Sequence, residues 1–190
     1  MPPGIIDHLF RCQLATGSGP KPLEMLARGL LPFTVDNRIH VVPPCTVSAD
    51  EVARAVEMLC DAGITAINLD LMYGLPKQSV ADVVRTAKLA ASLSPWRLAV
   101  FGYAHVPWFK THQKLIDAAD LPGAAERLAQ AAAVRAALEE EGFVAIGLDH
   151  FAHPDDPLAI AARNGHMRRN FQGYTIDQAD ARQTVEPKMH

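Results

Sequence analysis

The feature that most constrains this chain is a regular alternation of amphipathic helices and apolar, β-rich segments between residues 48 and 148. Ser48, with Glu51 three positions later, forms a capping box that predicts the first helix start. We predict helices over 48–63, 80–93 and 122–141, and buried strands over 64–71, 97–103 and 143–148. This order indicates an α/β fold with a parallel sheet and right-handed crossovers.

The remaining residues show weaker patterns. Seven prolines interrupt residues 1–47, where only a short helix over 23–31 and a strand over 38–42 are suggested. A further short helix is suggested over 157–164, and residues beyond 181 have no periodicity. We therefore expect three parts: a poorly defined, unrelated segment at 1–47, the α/β unit at 48–181 and a frayed tail at 182–190.

Composition narrows the class of protein. With 190 residues, the chain is shorter than a complete (β/α)8 barrel of about 250 residues. A net charge of −3 gives no overall basic character of the kind that binds nucleic acid or an anionic membrane. The N-terminus lacks the basic and apolar regions of a signal peptide, and no apolar run approaches the roughly 18 residues of a membrane span. These observations predict a cytoplasmic protein.

Cysteines and histidines give no metal-binding pattern. The three cysteines, at positions 12, 45 and 60, lie 33 and 15 positions apart, so neither a disulfide framework nor a local metal knuckle is expected. No pair among His105, His150, His153 and His166 has the i, i+4 spacing of a zinc-binding helix. We expect structural or substrate-contacting roles for them and assign no metal ligand.

Polar side chains follow the three predicted strands, where ligands bind in parallel α/β sheets. They are Asp70 and Tyr73, then Tyr103 and His105, and finally Asp149 and His150. A carboxylate in an apolar strand requires a partner, so Asp70 either contacts a ligand or organises a loop by hydrogen bonding. Arg169 either pairs with a substrate carboxylate or belongs to a solvated turn. No residue is assigned as catalytic.

Four motifs together give a resemblance to a known family. They are N-L-D-L-M-Y-G-L-P-K-Q at 68–78, F-G-Y-A-H-V-P at 101–107, G-L-D-H-F-A-H-P-D-D at 147–156 and R-N-F-Q-G-Y-T at 169–175. In order and spacing the chain resembles the oxygen-independent coproporphyrinogen III oxidases (coproporphyrinogen dehydrogenases), which are radical-SAM enzymes. The likeness covers about residues 49–181, roughly 70% of the chain.

The resemblance implies a partial radical-SAM (β/α) barrel with parallel strands and flanking helices, formed by residues 48–181. It implies S-adenosylmethionine and a 4Fe-4S cluster as cofactors, and a tetrapyrrole substrate. The implied reaction is the oxidative decarboxylation of coproporphyrinogen III to protoporphyrinogen IX in haem biosynthesis. Asp70 and Ala104 match S-adenosylmethionine-contacting positions of the family. Gln172 and Tyr174, in the last motif, join Arg169 as residues that contact substrate or support those that do.

The sequence lacks one motif of the family that the activity requires. The family holds its cluster with C-x-x-x-C-x-x-C, and this sequence has no such motif. We therefore expect an internal fragment that is inactive alone, arising from a truncated or frameshifted reading frame or from a divergent short homologue. Such a fragment could associate with a complementary one. The alternatives are a non-catalytic tetrapyrrole- or haem-binding regulatory homologue and a product without a stable fold.

Overall fold

The computed structural model describes residues 9–13, 32–35, 38–41, 48–170 and 173–176, the first three ranges as backbone only. The strands are β1 Leu9–Gln13, β2 Pro32–Val35, β3 Arg38–Val41, β4 Ile67–Tyr73, β5 Arg97–Gly102, β6 Val144–Ala145, β7 His150–Ala152, β8 Arg168–Asn170 and β9 Gly173–Thr175. The helices are α1 Ala49–Asp61, α2 Val80–Ser92, α3 Ala124–Glu140 and α4 Pro157–Arg163.

Two of the predicted helices begin with a reciprocal cap. The Ser48 side chain accepts from the Glu51 backbone N–H, and the Glu51 carboxylate accepts from the Ser48 N–H, at the start of α1. Ser79 and Asp82 repeat this arrangement at the start of α2. Gly63 follows α1 with a φ of +82°, a conformation that glycine adopts without strain. The helix predictions are therefore confirmed, and local sequence explains where these helices begin.

The seven-stranded sheet has the order β2-β3-β1-β4-β5-β7-β6, and β8 and β9 form a separate hairpin. Strands β4 and β5 are parallel, as predicted, and α2 connects them. The other pairings in this sheet are antiparallel. Within the described residues the sheet is therefore mixed, and the parallel pair of β4 and β5, with the flanking helices, is the part that matches the predicted α/β barrel segment.

The third predicted strand, over 143–148, is wrong in extent and in pairing. Only Val144–Ala145 is strand, and Gly147, with a φ of +93°, turns the chain back into β7. Strand β7 then pairs antiparallel with both β5 and β6. A hairpin thus occupies the place beside β5 that a single parallel strand was expected to take, because the turn at Gly147 reverses the chain too early for a longer strand.

One face of the sheet is covered by helices and forms the main core. Leu69 and Leu71 of β4 lie beside Leu98 and Val100 of β5, and all are buried with apolar residues of α1, α2 and α3. Since alternate residues of a strand point to opposite faces, the residues between them lie on the other side. We call this core side the helix-covered face.

The opposite side, here called the site face, bears Asp70, Phe101 and His150. Part of it is covered by α4, through a second apolar cluster that includes Ile146, Ala152, Leu158 and Ala159. Here Arg97 of β5 makes a bidentate pair with Asp156, with N–O distances of 2.8 and 2.9 Å. Asp156 also caps α4 by accepting from the Leu158 N–H at 2.7 Å. The pair fastens α4 to the sheet.

Two weaker predictions have different outcomes. The strand over 38–42 is confirmed as β3. The helix suggested over 23–31 and the tail at 182–190 lie outside the described residues.

Strand β1 pairs antiparallel with β4, with Leu9 opposite Asp70. No helix in the described part of the chain is long and apolar enough to cross a membrane.

Candidate functional site

A row of three residues crosses the sheet on the site face. Asp70 of β4 is paired with Ala99 of β5, and Ala99 is paired with His150 of β7. Neighbouring strands lie about 4.8 Å apart, so the backbones of Asp70 and His150 are separated by roughly 10 Å. Only the methyl group of Ala99 stands between them in this row. A carboxylate and an imidazole thus flank a small apolar residue, and both Asp70 and Ala99 are buried.

His150 is held on three sides. Its Nδ1 lies 2.7 Å from the Asp149 carboxylate, which can only accept, so Nδ1 donates the proton. The rings of Phe101 and Tyr174 meet the imidazole edge to face, with centroid distances of 5.9 and 5.1 Å. The other ring nitrogen, Nε2, has no hydrogen-bond partner among the described residues. It is the atom of this ring that can accept a proton or bind a ligand.

Tyr174 joins two distant motifs of the sequence. Its hydroxyl accepts from the Leu148 N–H at 3.0 Å, and the Arg169 guanidinium lies 5.4 Å from the centroid of its ring. Gly147 makes this contact feasible, because a Cβ there would overlap the tyrosine ring. Arg169 is exposed. The structure therefore brings Asp149, His150, Arg169 and Tyr174 together, and we call these four residues the His150 cluster.

Asp70 occupies a different place from the one expected. It is buried, and it lies in the middle of β4 because the ladder with β5 continues to Tyr73 opposite Gly102. The Tyr103 N–H extends this ladder by donating to the Tyr73 carbonyl at 2.7 Å. The prediction of a strand ending at residue 71 was therefore short by two residues.

Tyr73 lies on the helix-covered face, three residues from Asp70 and on the opposite side of the strand. It packs against the main core. A Cβ built on Gly102 would lie 3.1 Å from its hydroxyl and 2.9 Å from Nη2 of Arg127 in α3. The structure thus groups Tyr73 with the half-buried Arg127, away from Asp70. Sequence analysis missed Arg127, since nothing in its helical context marks it.

Tyr103, Ala104 and His105 begin the loop after β5. Tyr103 is buried, and its hydroxyl lies 3.4 Å from Nδ1 of His105. Ala104 is exposed, and its carbonyl accepts from the Gln113 side chain at 3.1 Å. These residues form a group at the end of β5, and within the described residues no hydrogen bond or ring contact joins this group to the His150 cluster. Gln172 lies outside the described residues.

Phe101 is the first residue of a family motif but was not predicted as a site residue, and Ala99 lies in no motif. Both belong to an apolar strand, and only the register of β5 between β4 and β7 places them beside Asp70 and His150. His153 and His166, considered for metal binding, do not belong to the cluster. His153 contacts Trp96, with ring centroids 5.9 Å apart.

The cysteines do not fit the cluster that the resemblance implies. A 4Fe-4S cluster is held by thiolates that lie close together. Cys60 is exposed on α1, and the other two cysteines are 15 and 48 positions away in the chain. Across residues 48–170 and 173–176, no three His, Cys, Asp or Glu side chains converge as a metal site. We therefore derive no reaction step through a cluster bound by this chain.

Comparison with known proteins identifies relatives of this region. An oxygen-independent coproporphyrinogen III oxidase of Bradyrhizobium diazoefficiens is 52% identical over 133 residues, which are 70% of this chain and 30% of that protein. One of Cereibacter sphaeroides is 50% identical over 128 residues, which are 67% and 28% of the two chains. No protein-family model matches.

A solved structure agrees with these relatives. Coproporphyrinogen III oxidase of Escherichia coli, described as a radical SAM enzyme, is 41% identical with a TM-score of 0.67. The match covers 70% of this chain and 31% of that one, so this chain spans under a third of the length of its relatives. Over the matched residues, this chain is homologous to one segment of the oxygen-independent coproporphyrinogen III oxidase family of radical SAM enzymes.

Proposed function

We propose that this chain provides a tetrapyrrole-facing part of an oxygen-independent coproporphyrinogen III oxidase and does not complete the reaction alone. The observation that supports this most is the row Asp70–Ala99–His150, with Tyr174 and Arg169 beside it. A tetrapyrrole with carboxylate side groups needs apolar contacts, aromatic edges and a cation at the rim. The site face has all three.

Each side chain has a role in this proposal. Arg169, exposed above the Tyr174 ring, pairs with a propionate carboxylate of coproporphyrinogen III. His150, oriented by Asp149, offers Nε2 to a pyrrole N–H or to a carboxylic acid proton. Asp70 contacts S-adenosylmethionine, whose cationic and hydroxyl groups complement a carboxylate. Tyr73, Tyr103, Ala104, His105 and Gln172 remain candidates for contacts with the same two molecules.

The chemistry of the whole enzyme requires more than this chain offers. The proposed reaction is the oxidative decarboxylation of two of the four propionate groups to vinyl groups, in which each loses carbon dioxide and a hydride equivalent. A 4Fe-4S cluster and S-adenosylmethionine, held with residues outside this chain, would supply the oxidising radical. Thiolates 15 or more positions apart do not form the compact ligand set of this family. A complementary polypeptide with the cluster-binding cysteines is the partner that the proposal requires. The reducing cytoplasm is the compartment in which such thiolates persist.

Anaerobic reconstitution with iron and sulfide tests the catalytic half of the proposal. We expect no stable brown 4Fe-4S absorbance and no protoporphyrinogen IX from the purified chain. A stable cluster that reduces S-adenosylmethionine would contradict the proposal.

Titration with coproporphyrin III, the stable oxidised form of the substrate, tests the binding half. We expect saturable binding by the full chain, weakened by His150→Ala and by Arg169→Ala. The matched control is His166→Ala, which removes an exposed histidine outside the His150 cluster. Equal affinity of all three variants would show that the cluster does not face the tetrapyrrole. A preference for haemin over coproporphyrin III would instead favour the haem-binding alternative, with Nε2 of His150 as the iron ligand.

A further inference from the structure

The loop after β5, residues 104–116, exposes an unusual amount of apolar surface. Trp108, Phe109 and Leu115 are 78%, 73% and 91% exposed, and they are three of the five most exposed large apolar side chains in the described part of the chain. Large exposed apolar groups that lie together mark binding surfaces more often than isolated ones do. The three exposed apolar side chains in this one loop therefore indicate a candidate binding surface.

The same loop is basic. Lys110, His112 and Lys114 are all exposed, and no acidic residue occurs between positions 104 and 116. The ammonium group of Lys110 lies 5.0 Å from the centroid of the Phe109 ring. Cations thus border the aromatic surface, a combination suited to a ligand that is both apolar and anionic.

The loop is held in a defined shape. Gln113 is buried, and its side chain accepts from the Val106 N–H at 2.6 Å and donates to the Ala104 carbonyl at 3.1 Å. A short 3-10 turn over Thr111–Leu115 surrounds it. The exposed side chains are therefore presented by a fixed backbone, which lowers the entropy lost when a ligand binds.

The loop also starts beside the proposed site. Phe101, whose ring packs on His150, lies in β5 three residues before Ala104. Tyr103, between them, is buried at the carboxyl end of the strand. A ligand on the site face that extends past the end of β5 would meet this loop.

We propose that residues 104–116 form a receptor for an apolar macrocycle with several carboxylates, which in the context of the proposed function is the tetrapyrrole. Trp108 and Phe109 contact the ring, and Lys110 and Lys114 pair with its carboxylates. This inference rests on the proposed function, and it adds the loop as the element that recognises the substrate's carboxylates.

Coproporphyrin III titration of the full chain with Lys110→Ala and Lys114→Ala combined tests the inference. Exposed charge pairs contribute modestly to binding, so we expect Kd to rise roughly ten-fold, which is about 1.4 kcal/mol. The control combines Arg54→Ala with Arg135→Ala, which removes two exposed cations elsewhere. Equal affinity of the two double variants would overturn the inference.

Acetylation of lysines, read by mass spectrometry with and without coproporphyrin III, gives an independent measurement on the unmodified sequence. We expect several-fold protection of Lys110 and Lys114 and none of Lys88. Binding that depends on His150 but leaves both loop lysines unprotected would overturn this inference and leave the proposed function intact. Protection of the lysines with no dependence on His150 would support the loop and contradict the proposed site. Absence of any binding would overturn both.

Discussion

The two faces of strands β4 and β5 differ in chemistry although they share one backbone. On the helix-covered face, Leu69, Leu71 and Leu98 are buried in a continuous apolar core. On the site face, the neighbouring positions are Asp70, Ala99 and Arg97, and Arg97 makes an ion pair with Asp156. In each strand, one set of alternate residues packs in the core and stabilises the fold, and the other set contributes to the candidate site.

This difference teaches that neighbours in sequence need not share a role. Asp70 and Tyr73 occur in one motif, yet the structure separates them onto opposite faces. Asp70 and His150 are 80 positions apart, yet they flank the same alanine. Substitutions on the two faces should accordingly change different measured properties.

The largest effect is expected from Asp156→Ala, which breaks the attachment of α4 to the site face. It leaves the Arg97 guanidinium without its carboxylate partner and removes the cap of α4. Asp156 is buried and Arg97 is half-buried, and loss of this ion-pair partner together with the helix cap costs about 3–5 kcal/mol in the free energy of unfolding. Urea denaturation measures this. Asp155→Ala removes an exposed neighbouring carboxylate and should change the free energy of unfolding by less than about 0.5 kcal/mol. If Asp155→Ala lost as much stability as Asp156→Ala, the role of Asp156 in attaching α4 would be refuted.

Leu98→Ala should destabilise the helix-covered face by about 2–5 kcal/mol, because Leu98 is fully buried and its removal leaves a cavity. Thermal or urea unfolding measures this effect. The matched control is Leu128→Ala in α3, where the leucine is exposed and the loss should be within about 0.5 kcal/mol. If the two variants were equally stable, β5 would not be packed as described.

Comparison of Gly147→Ala with Gly142→Ala should distinguish an effect on stability from an effect on ligand binding at the site face. The positive φ makes alanine unfavourable by about 1 kcal/mol or more, and the added Cβ displaces the Tyr174 ring from the His150 cluster. Gly142→Ala has a similar φ of +88° and no atom within 4 Å of the new Cβ. Both variants should lose stability, but only Gly147→Ala should weaken coproporphyrin III binding. Equal binding by both would contradict the role of Tyr174.

The smallest effect concerns pH at the start of α2. Hydrogen bonds from the Ser79 side chain and backbone, with Arg85 contributing less, lower the pKa of Asp82 from 3.8 to about 2. The lower folded-state pKa means that this contribution to stability is present above pH 3.8 and is lost as the pH falls toward 2. Urea unfolding across this window should show a smaller decline for Asp82→Asn than for the original chain. If the free energy of unfolding fell equally in the variant and in the original chain, Asp82 would not stabilise the start of α2 as described.

Much of the fold could be predicted because its signals are local. The cap at Ser48 and the apolar periodicity placed α1 and α2, and the apolar runs located β4 and β5. The prediction of the third strand was wrong because the reversal at Gly147 and the pairing of β7 depend on contacts between residues distant in sequence. Most candidate residues belong to recognisable motifs, but Ala99 and Arg127 have no local signature.

By itself, the sequence determined the helix starts, the apolar strands, the motifs shared with the coproporphyrinogen III oxidases and the lack of closely spaced cysteines. These properties depend on residue type and short-range spacing. Only the tertiary structure decided that Asp70 shares a face with His150, that Tyr73 does not, and that Tyr174 closes on the imidazole. The physical reason is that strand register and the parity of alternate side chains determine which residues meet, and register is set by long-range pairing.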